Sequence, residues 1–158
     1  MSSPSPPPRR SAVATTAALQ SALAAEHAAV YGYGIVGANL TGNRQAAAMT
    51  DWVAHQVARD TLEAMLRSRG AQPVAAAAAY RLPVTVRTGA QAVSLAVFLE
   101  DRVATAYLGL VAVSDISVRQ FGALQVRAAA LRGAAWRGST VAFPGLTASS
   151  LVARRPRS

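Results

Sequence analysis

The chain has 158 residues, a length that fits one domain with a sizeable hydrophobic core. It contains no cysteine, which excludes disulfides, thiolate metal sites and a cysteine nucleophile. The formal net charge is +9, but five of the sixteen arginines lie in the two tails, so eleven arginines and seven acids leave the body at only +4. The charge therefore gives little support for a nucleic-acid-binding domain.

Alanine dominates the composition, and strand-like alternation is confined to residues around Leu82–Val86, so the sequence predicts an all-α protein. No apolar run reaches the length of about 18 residues that a spanning helix needs. The stretch after Arg9 and Arg10 is too weakly hydrophobic for a secretory signal, which predicts a cytoplasmic location rather than export.

Proline and arginine in residues 1–14 predict a disordered tail, and residues 147–158 predict a basic tail of the same kind. The domain between them spans 15–146. Within it the apolar pattern predicts four helices, at about Thr16–Leu40, Gln45–Arg69, Ala90–Ser114 and Ser117–Trp136.

The lengths of the predicted connections indicate the topology. Helices 1 and 2, and likewise helices 3 and 4, are joined by only a few residues, which makes each pair an antiparallel hairpin. About twenty residues separate helices 2 and 3, enough to follow the whole length of a helix. We therefore predict a ferritin-like antiparallel four-helix bundle with a long crossover between helices 2 and 3.

Two of the predicted seams carry a glutamate at their middle. Helix 1 repeats with spacings of four and three through Leu19, Leu23, Glu26, Val30, Tyr33, Gly37 and Leu40. Helix 3 does the same through Val93, Val97, Glu100, Ala104, Tyr107 and Val111. An ionised carboxylate away from water costs several kcal/mol unless it is compensated, so both glutamates require partners.

Helix 2 allows two registers, and both bring ionisable groups inward. One buries Trp52, His55, Arg59, Leu62 and Leu66, and the other buries Met49, Val53, Gln56, Asp60 and Glu63. On helix 4 the predicted seam runs through Ser117, Phe121, Leu124, Ala128, Leu131 and Ala135, with Arg127 at its edge. Helix 4 offers no carboxylate and no histidine.

Several short motifs resemble those of an uncharacterised bacterial ferritin-like family, a family of unknown function, over about residues 16–146. They are EHAAVYGYG from Glu26, His55 with ARD from Ala58, GAQP from Gly70, AYRLP from Ala79, FLEDRVATAY from Phe98, AAWRG from Ala134 and FPG from Phe143. The resemblance implies the ferritin-like fold and leaves the activity open.

The seam residues allow two interpretations. A dinuclear carboxylate site takes one glutamate from each of two helices and a Glu-x-x-His motif from each of the others, and neither motif is present here. The favoured interpretation is a metal-free core ion-pair network formed by Glu26, His55, Arg59, Glu100 and Arg127. The alternative is a mononuclear or asymmetric iron or manganese site that draws its ligands from Glu26, His55, Asp60, Glu63 and Glu100.

The function predicted from the sequence is a structural or partner-binding domain without a cofactor, rather than an enzyme. Its partner would be an unknown protein or a second copy of the chain, with no membrane. A metal-binding protein or oxidase is the first alternative. Nucleic-acid binding through the arginine-rich tails is a weaker one and predicts salt-sensitive binding that is lost when the tails are removed.

Overall fold

A computed structural model of the chain describes residues 8–140, which form four α-helices and no strand. The helices are α1 (Pro8–Ala38), α2 (Gly42–Arg67), α3 (Gly89–Val111) and α4 (Ile116–Arg137). The predicted all-α class and the number of helices are confirmed. No helix in the part of the chain described here is long and apolar enough to cross a membrane.

Helix α1 begins at Pro8, eight residues earlier than the sequence predicted. Proline is well suited to a first helical turn, where the missing N–H group would have no intrahelical partner. The predicted N-terminal tail therefore loses residues 8–14 to the helix. The rest of that tail, the basic C-terminal tail and the FPG motif lie outside the described residues.

The segment that joins α2 to α3, residues 68–88, lies beside α1. Near its start, Gln20 donates to the carbonyl of Gln72 over 2.7 Å and accepts from the amide of Val74 over 2.8 Å. Further along, Leu82 and Val86 pack against the buried cluster that contains Tyr33 and Val36 of α1. The segment is therefore held to α1 by hydrogen bonds between the Gln20 side chain and its main chain at one end and by apolar contacts at the other.

Close packing joins α1 to α2, α1 to α3 and α3 to α4 among the described helices. Within residues 8–140, most buried apolar side chains form two clusters, one toward each end of the bundle. The first includes Leu19, Leu23, Leu62, Leu66, Val103 and Leu110, and the second includes Tyr33, Val36, Leu40, Ala48, Leu95 and Leu99. Glu26, His55 and Glu100 belong to neither cluster and are buried.

Helix α2 turns one of its two possible faces toward the interior. His55, Leu62 and Leu66 are fully buried, whereas Met49 and Val53 are exposed. Of the two registers that the sequence allowed, the structure has the one that turns His55 inward.

The predicted seam of helix α4 is wrong. Leu124 and Leu131 are 62% and 61% exposed, and the buried positions include Gly122, Ala129 and Gly133. A Cβ atom placed on Gly122 would lie 2.6 Å from the Cβ atom of Leu110. Helix α4 therefore turns its small residues toward α3, and this close approach rotates its leucines outward.

Candidate functional site

Helices α1, α2 and α3 each bring one ionisable side chain to the same place in the interior. Nδ1 of His55 lies 2.7 Å from Oε2 of Glu26, and its Nε2 lies 3.1 Å from Oε1 of Glu100. All three side chains are fully buried. Because an ionised carboxylate only accepts hydrogen bonds, the imidazole donates from both nitrogens and carries a positive charge.

Two buried tyrosines complete the contacts of the carboxylates. The Tyr107 hydroxyl donates to Oε1 of Glu26 over 2.7 Å, and the Tyr33 hydroxyl donates to Oε1 of Glu100 over 2.5 Å. Burial and the neighbouring glutamates raise the pKa of both tyrosines well above the ordinary range. The two phenols therefore remain protonated donors throughout the physiological range of pH.

Helix α4 contributes the second positive charge. Nε of Arg132 donates to Oε1 of Glu100 over 3.0 Å, and the Arg132 side chain is only 16% exposed. We call Glu26, His55, Glu100, Arg132 and the two tyrosines the central cluster. Its two carboxylates and two cations sum to zero charge, which compensates for their removal from water.

The protonation states follow from these contacts. Burial alone would lower the pKa of His55, but the hydrogen bonds and charges of Glu100 and Glu26 outweigh it and raise the pKa to about 9. Burial likewise opposes ionisation of Glu100, yet His55 and Arg132 hold the pKa of that carboxyl below its ordinary value. His55, Glu100 and Arg132 are therefore ionised at neutral pH.

The two oxygens of the Glu100 carboxylate differ in their hydrogen bonds. Oε1 of Glu100 accepts from Tyr33, His55 and Arg132, whereas its Oε2 is buried without a hydrogen-bond partner among the described residues. Such an atom is uncommon in a folded protein and marks a position where a further donor or a cation would be stabilised.

Asp51 and Trp136 border the cluster on the side of α2 and α4. The Trp136 indole N–H donates to Oδ2 of Asp51 over 2.8 Å, and the Tyr33 hydroxyl lies 3.4 Å from the same oxygen. Partial burial raises the pKa of Asp51, although the indole hydrogen bond opposes this. Asp51 thus links the buried cluster to the surface.

Comparison with known proteins places the chain in a family. Residues 18–148 match a family described as a domain of unknown function, DUF4439. The chain belongs to the DUF4439 family. Every residue of the central cluster lies within the matched range.

A solved structure supports the fold of this DUF4439 domain. The crystal structure of a conserved hypothetical protein, rv2844, from Mycobacterium tuberculosis is similar with a TM-score of 0.77 and 35% sequence identity. The similarity covers 80% of this chain and 96% of that chain. A search of curated proteins gave no significant match.

Two arginines that the sequence predicted in the core ion-pair network do not reach it. The Arg59 guanidinium pairs with the neighbouring Asp60 at 2.8 Å, and Arg127 is exposed on α4. The predicted place of Arg127 depended on the wrong seam for α4. With the observed rotation of that helix, Arg132 contacts Glu100 instead.

Two acids that the sequence offered as metal ligands also lie outside the central cluster. Asp60 is exposed beside Arg59, and Glu63 pairs with Arg67 at 2.7 Å on the surface of α2. Within residues 8–140, no group of three or more histidine, aspartate or glutamate side chains has the arrangement of a metal site.

Sequence reasoning missed the roles of Tyr33, Tyr107, Arg132 and Asp51. Both tyrosines stood on the predicted seams, but a tyrosine on an apolar stripe ordinarily indicates core packing. A usable signal was their spacing, because each lies seven residues after a seam glutamate and so falls on the same helix face. Arg132 gave no such signal, because the apolar pattern of α4 indicated a different face.

Proposed function

We propose that this DUF4439 domain is a metal-free, ferritin-like bundle with a structural or partner-binding role, whose interior is held together by a salt-bridged core. The observation that carries the proposal is the pair of hydrogen bonds from His55 to Glu26 and Glu100. A metal-bound histidine needs a free lone pair on one nitrogen, and here both nitrogens lie against carboxylate oxygens.

The proposal includes a ferritin-like topology, with a long crossover between α2 and α3. It is supported by the hydrogen bond between Ser11 and Ser114, which brings the start of α1 to the end of α3. At the other pole, Leu40 lies against Gly89, the first residue of α3. If α1 is antiparallel to both α2 and α3, those two helices run in the same direction, and residues 68–88 have to cross the length of the bundle.

The residues do not fit a dinuclear carboxylate site. Glu26 and Glu100 correspond to its two single glutamates, but Trp52 stands three residues before His55 where the motif needs a glutamate. On α4, Ala129 and Arg132 stand where the second Glu-x-x-His motif would lie. Two carboxylates thus face two organic cations, and the charge balances without a metal.

A second candidate, an iron- or manganese-binding protein, is favoured by one observation. Oε2 of Glu100 is buried without a partner among the described residues, and a carboxylate oxygen is a suitable ligand for either metal. Binding there would displace the His55 proton, because the imidazolium and a cation would compete for the same carboxylate.

Elemental analysis of protein purified without chelators separates the two candidates. We expect no stoichiometric transition metal and no rise in melting temperature when iron or manganese is added. A stoichiometric metal that is lost in Glu26→Ala would overturn the proposal. As a second readout, nitrogen-15 NMR at neutral pH should show both ring nitrogens of His55 protonated, and a metal-bound or singly protonated ring would contradict it.

A further inference from the structure

A cleft opens between α2 and α4 next to the central cluster. Its volume is about 370 Å³, and its walls include Asp51 on α2 and Arg132 and Trp136 on α4. Close helix packing in the described chain involves α1 with α2, α1 with α3 and α3 with α4, so α2 and α4 leave room between them. The volume lies within the usual range for sites of small molecules.

Arg132 belongs to both the cluster and the cleft. Its Nε atom is occupied by Glu100, whereas its two Nη atoms form no hydrogen bond with any described residue. The guanidinium is planar and is held in place along one edge, so the remaining donors form a fixed fork. A fork of this kind matches the two oxygens of a carboxylate or a phosphate.

The other cleft residues supply further donors and limit the choice of ligand. Asn43 and Arg44 line one end, and neither side chain has a hydrogen-bond partner among the described residues. Asp51 opposes an anion, so the charged side chains of the lining, Arg44, Arg132 and Asp51, sum to only +1. With one guanidinium fixed in the wall and a second at the mouth, the cleft is suited to a small ligand with a single anionic group.

We propose that the α2–α4 cleft binds a small oxyanion, a carboxylate or a phosphate, through the free Nη donors of Arg132 with Arg44 at its mouth. This inference goes beyond the proposed function and does not depend on whether a metal binds. It assigns Arg132 two tasks, since one edge of its guanidinium neutralises Glu100 and the other receives the ligand.

The two tryptophans of the chain provide a direct test with an internal reference. The Trp136 indole lies in the cleft, whereas the Trp52 indole donates to the carbonyl of Val30 and lines a separate groove between α1 and α2. Full-length protein labelled with nitrogen-15 would be titrated with sodium acetate or sodium phosphate at constant ionic strength, with sodium chloride as the reference salt. The variant Trp136→Phe assigns the two indole signals.

We expect a saturable shift of the Trp136 signal with acetate, phosphate or both, without a matching shift of the Trp52 signal. Tighter binding of acetate would identify the ligand class as a carboxylate, and tighter binding of phosphate would identify it as a phosphate. No saturable shift with either anion, or equal shifts with chloride, would overturn the proposal.

Substitutions assign the donors. Arg132→Lys keeps a cation beside Glu100 but removes the fork, and it should weaken binding by about tenfold. Arg44→Gln should weaken binding by about threefold, and Arg127→Gln, which removes the same charge from an exposed position on α4, should leave binding unchanged. Unchanged binding in Arg132→Lys, or equal losses in Arg44→Gln and Arg127→Gln, would show that the cleft is not the site.

Discussion

His55 contacts both buried carboxylates, and its charge therefore determines whether the interior is electrically balanced. With the imidazolium in place, Glu26 has a cation at 2.7 Å, and Glu100 has one at 3.1 Å with Arg132 at 3.0 Å. Removal of a carboxylate leaves a buried cation without its partner. Loss of one member of a buried ion pair costs far more than loss of a surface pair.

Glu100→Gln should accordingly lower the free energy of unfolding by about 3–5 kcal/mol. The amide keeps the shape of the side chain but removes the negative charge that faces His55 and Arg132. Urea unfolding followed by circular dichroism measures the change.

Glu63→Gln is the matched control for this substitution. Glu63 pairs with Arg67 on the surface of α2, and its loss should cost less than about 1 kcal/mol. Equal effects of the two substitutions would show that the central cluster does not stabilise the fold through its charges.

The sequence predicted some of these residues for a physical reason. Glu26 and Glu100 interrupt long apolar seams at regular spacing, so their burial follows from helix periodicity alone. The burial of His55 did not follow from the sequence alone, because α2 had two possible registers and only packing decides between them. Arg132 was not predicted, because contact with Glu100 depends on how α4 is rotated against α3.

At the scale of the helices, the packing of α3 on α4 is governed by small residues. Gly122 lies so close to α3 that an added Cβ atom would meet the Cβ of Leu110 at 2.6 Å and the Tyr107 carbonyl oxygen at 3.2 Å. The same approach brings Gly133 near Glu100, with an added Cβ atom 3.3 Å from the Cβ of that residue. The reach of Arg132 to Glu100 depends on this short distance between the helices.

Gly122→Ala should therefore destabilise the protein by about 1–3 kcal/mol, although alanine is the better helix former. The obstacle is the backbone and Cβ of α3, which cannot move aside as the end of a flexible side chain can. Thermal unfolding of the variant and the parent protein measures the difference.

Gly109→Ala provides the comparison for a glycine without this restriction. Gly109 is exposed within α3, and an added Cβ atom would meet nothing within 4 Å. This substitution should stabilise the protein by about 0.5–1 kcal/mol through helix propensity. If Gly122→Ala is stabilising to the same extent, α3 and α4 are not in close contact at that level.

At the scale of the whole molecule, a polar layer separates two apolar clusters, and the stability of the fold should depend on pH through that layer. The pKa of His55 is raised to about 9 in the folded protein, above its ordinary value near 6.5. The folded state consequently holds a proton that the unfolded state has lost between these two values, and stability falls as pH rises through this window.

We expect the free energy of unfolding to decrease on the order of 3 kcal/mol between pH 6 and pH 9.5. On the acid side, the pKa of Glu100 is lowered in the folded protein from its ordinary value near 4.5. Its ionised carboxylate therefore stabilises the fold at pH values above about 4.5, and this stabilisation is lost as the pH falls further. Urea unfolding at a series of pH values provides the curve. A flat or rising curve from pH 6 to 9.5 would contradict a protonated His55 in the folded state.

The number of helices and the buried positions of Glu26 and Glu100 were determined by the sequence itself, because a repeat near 3.6 residues assigns a face to each side chain before any partner helix is present. The rotation of α4 and the choice of Arg132 over Arg127 were decided only by tertiary structure. On α4 more than one face is apolar, and the face that packs against α3 is the one whose small residues allow close contact. Hydrophobicity identifies an apolar face, whereas the fit between two helix surfaces selects which of them is buried.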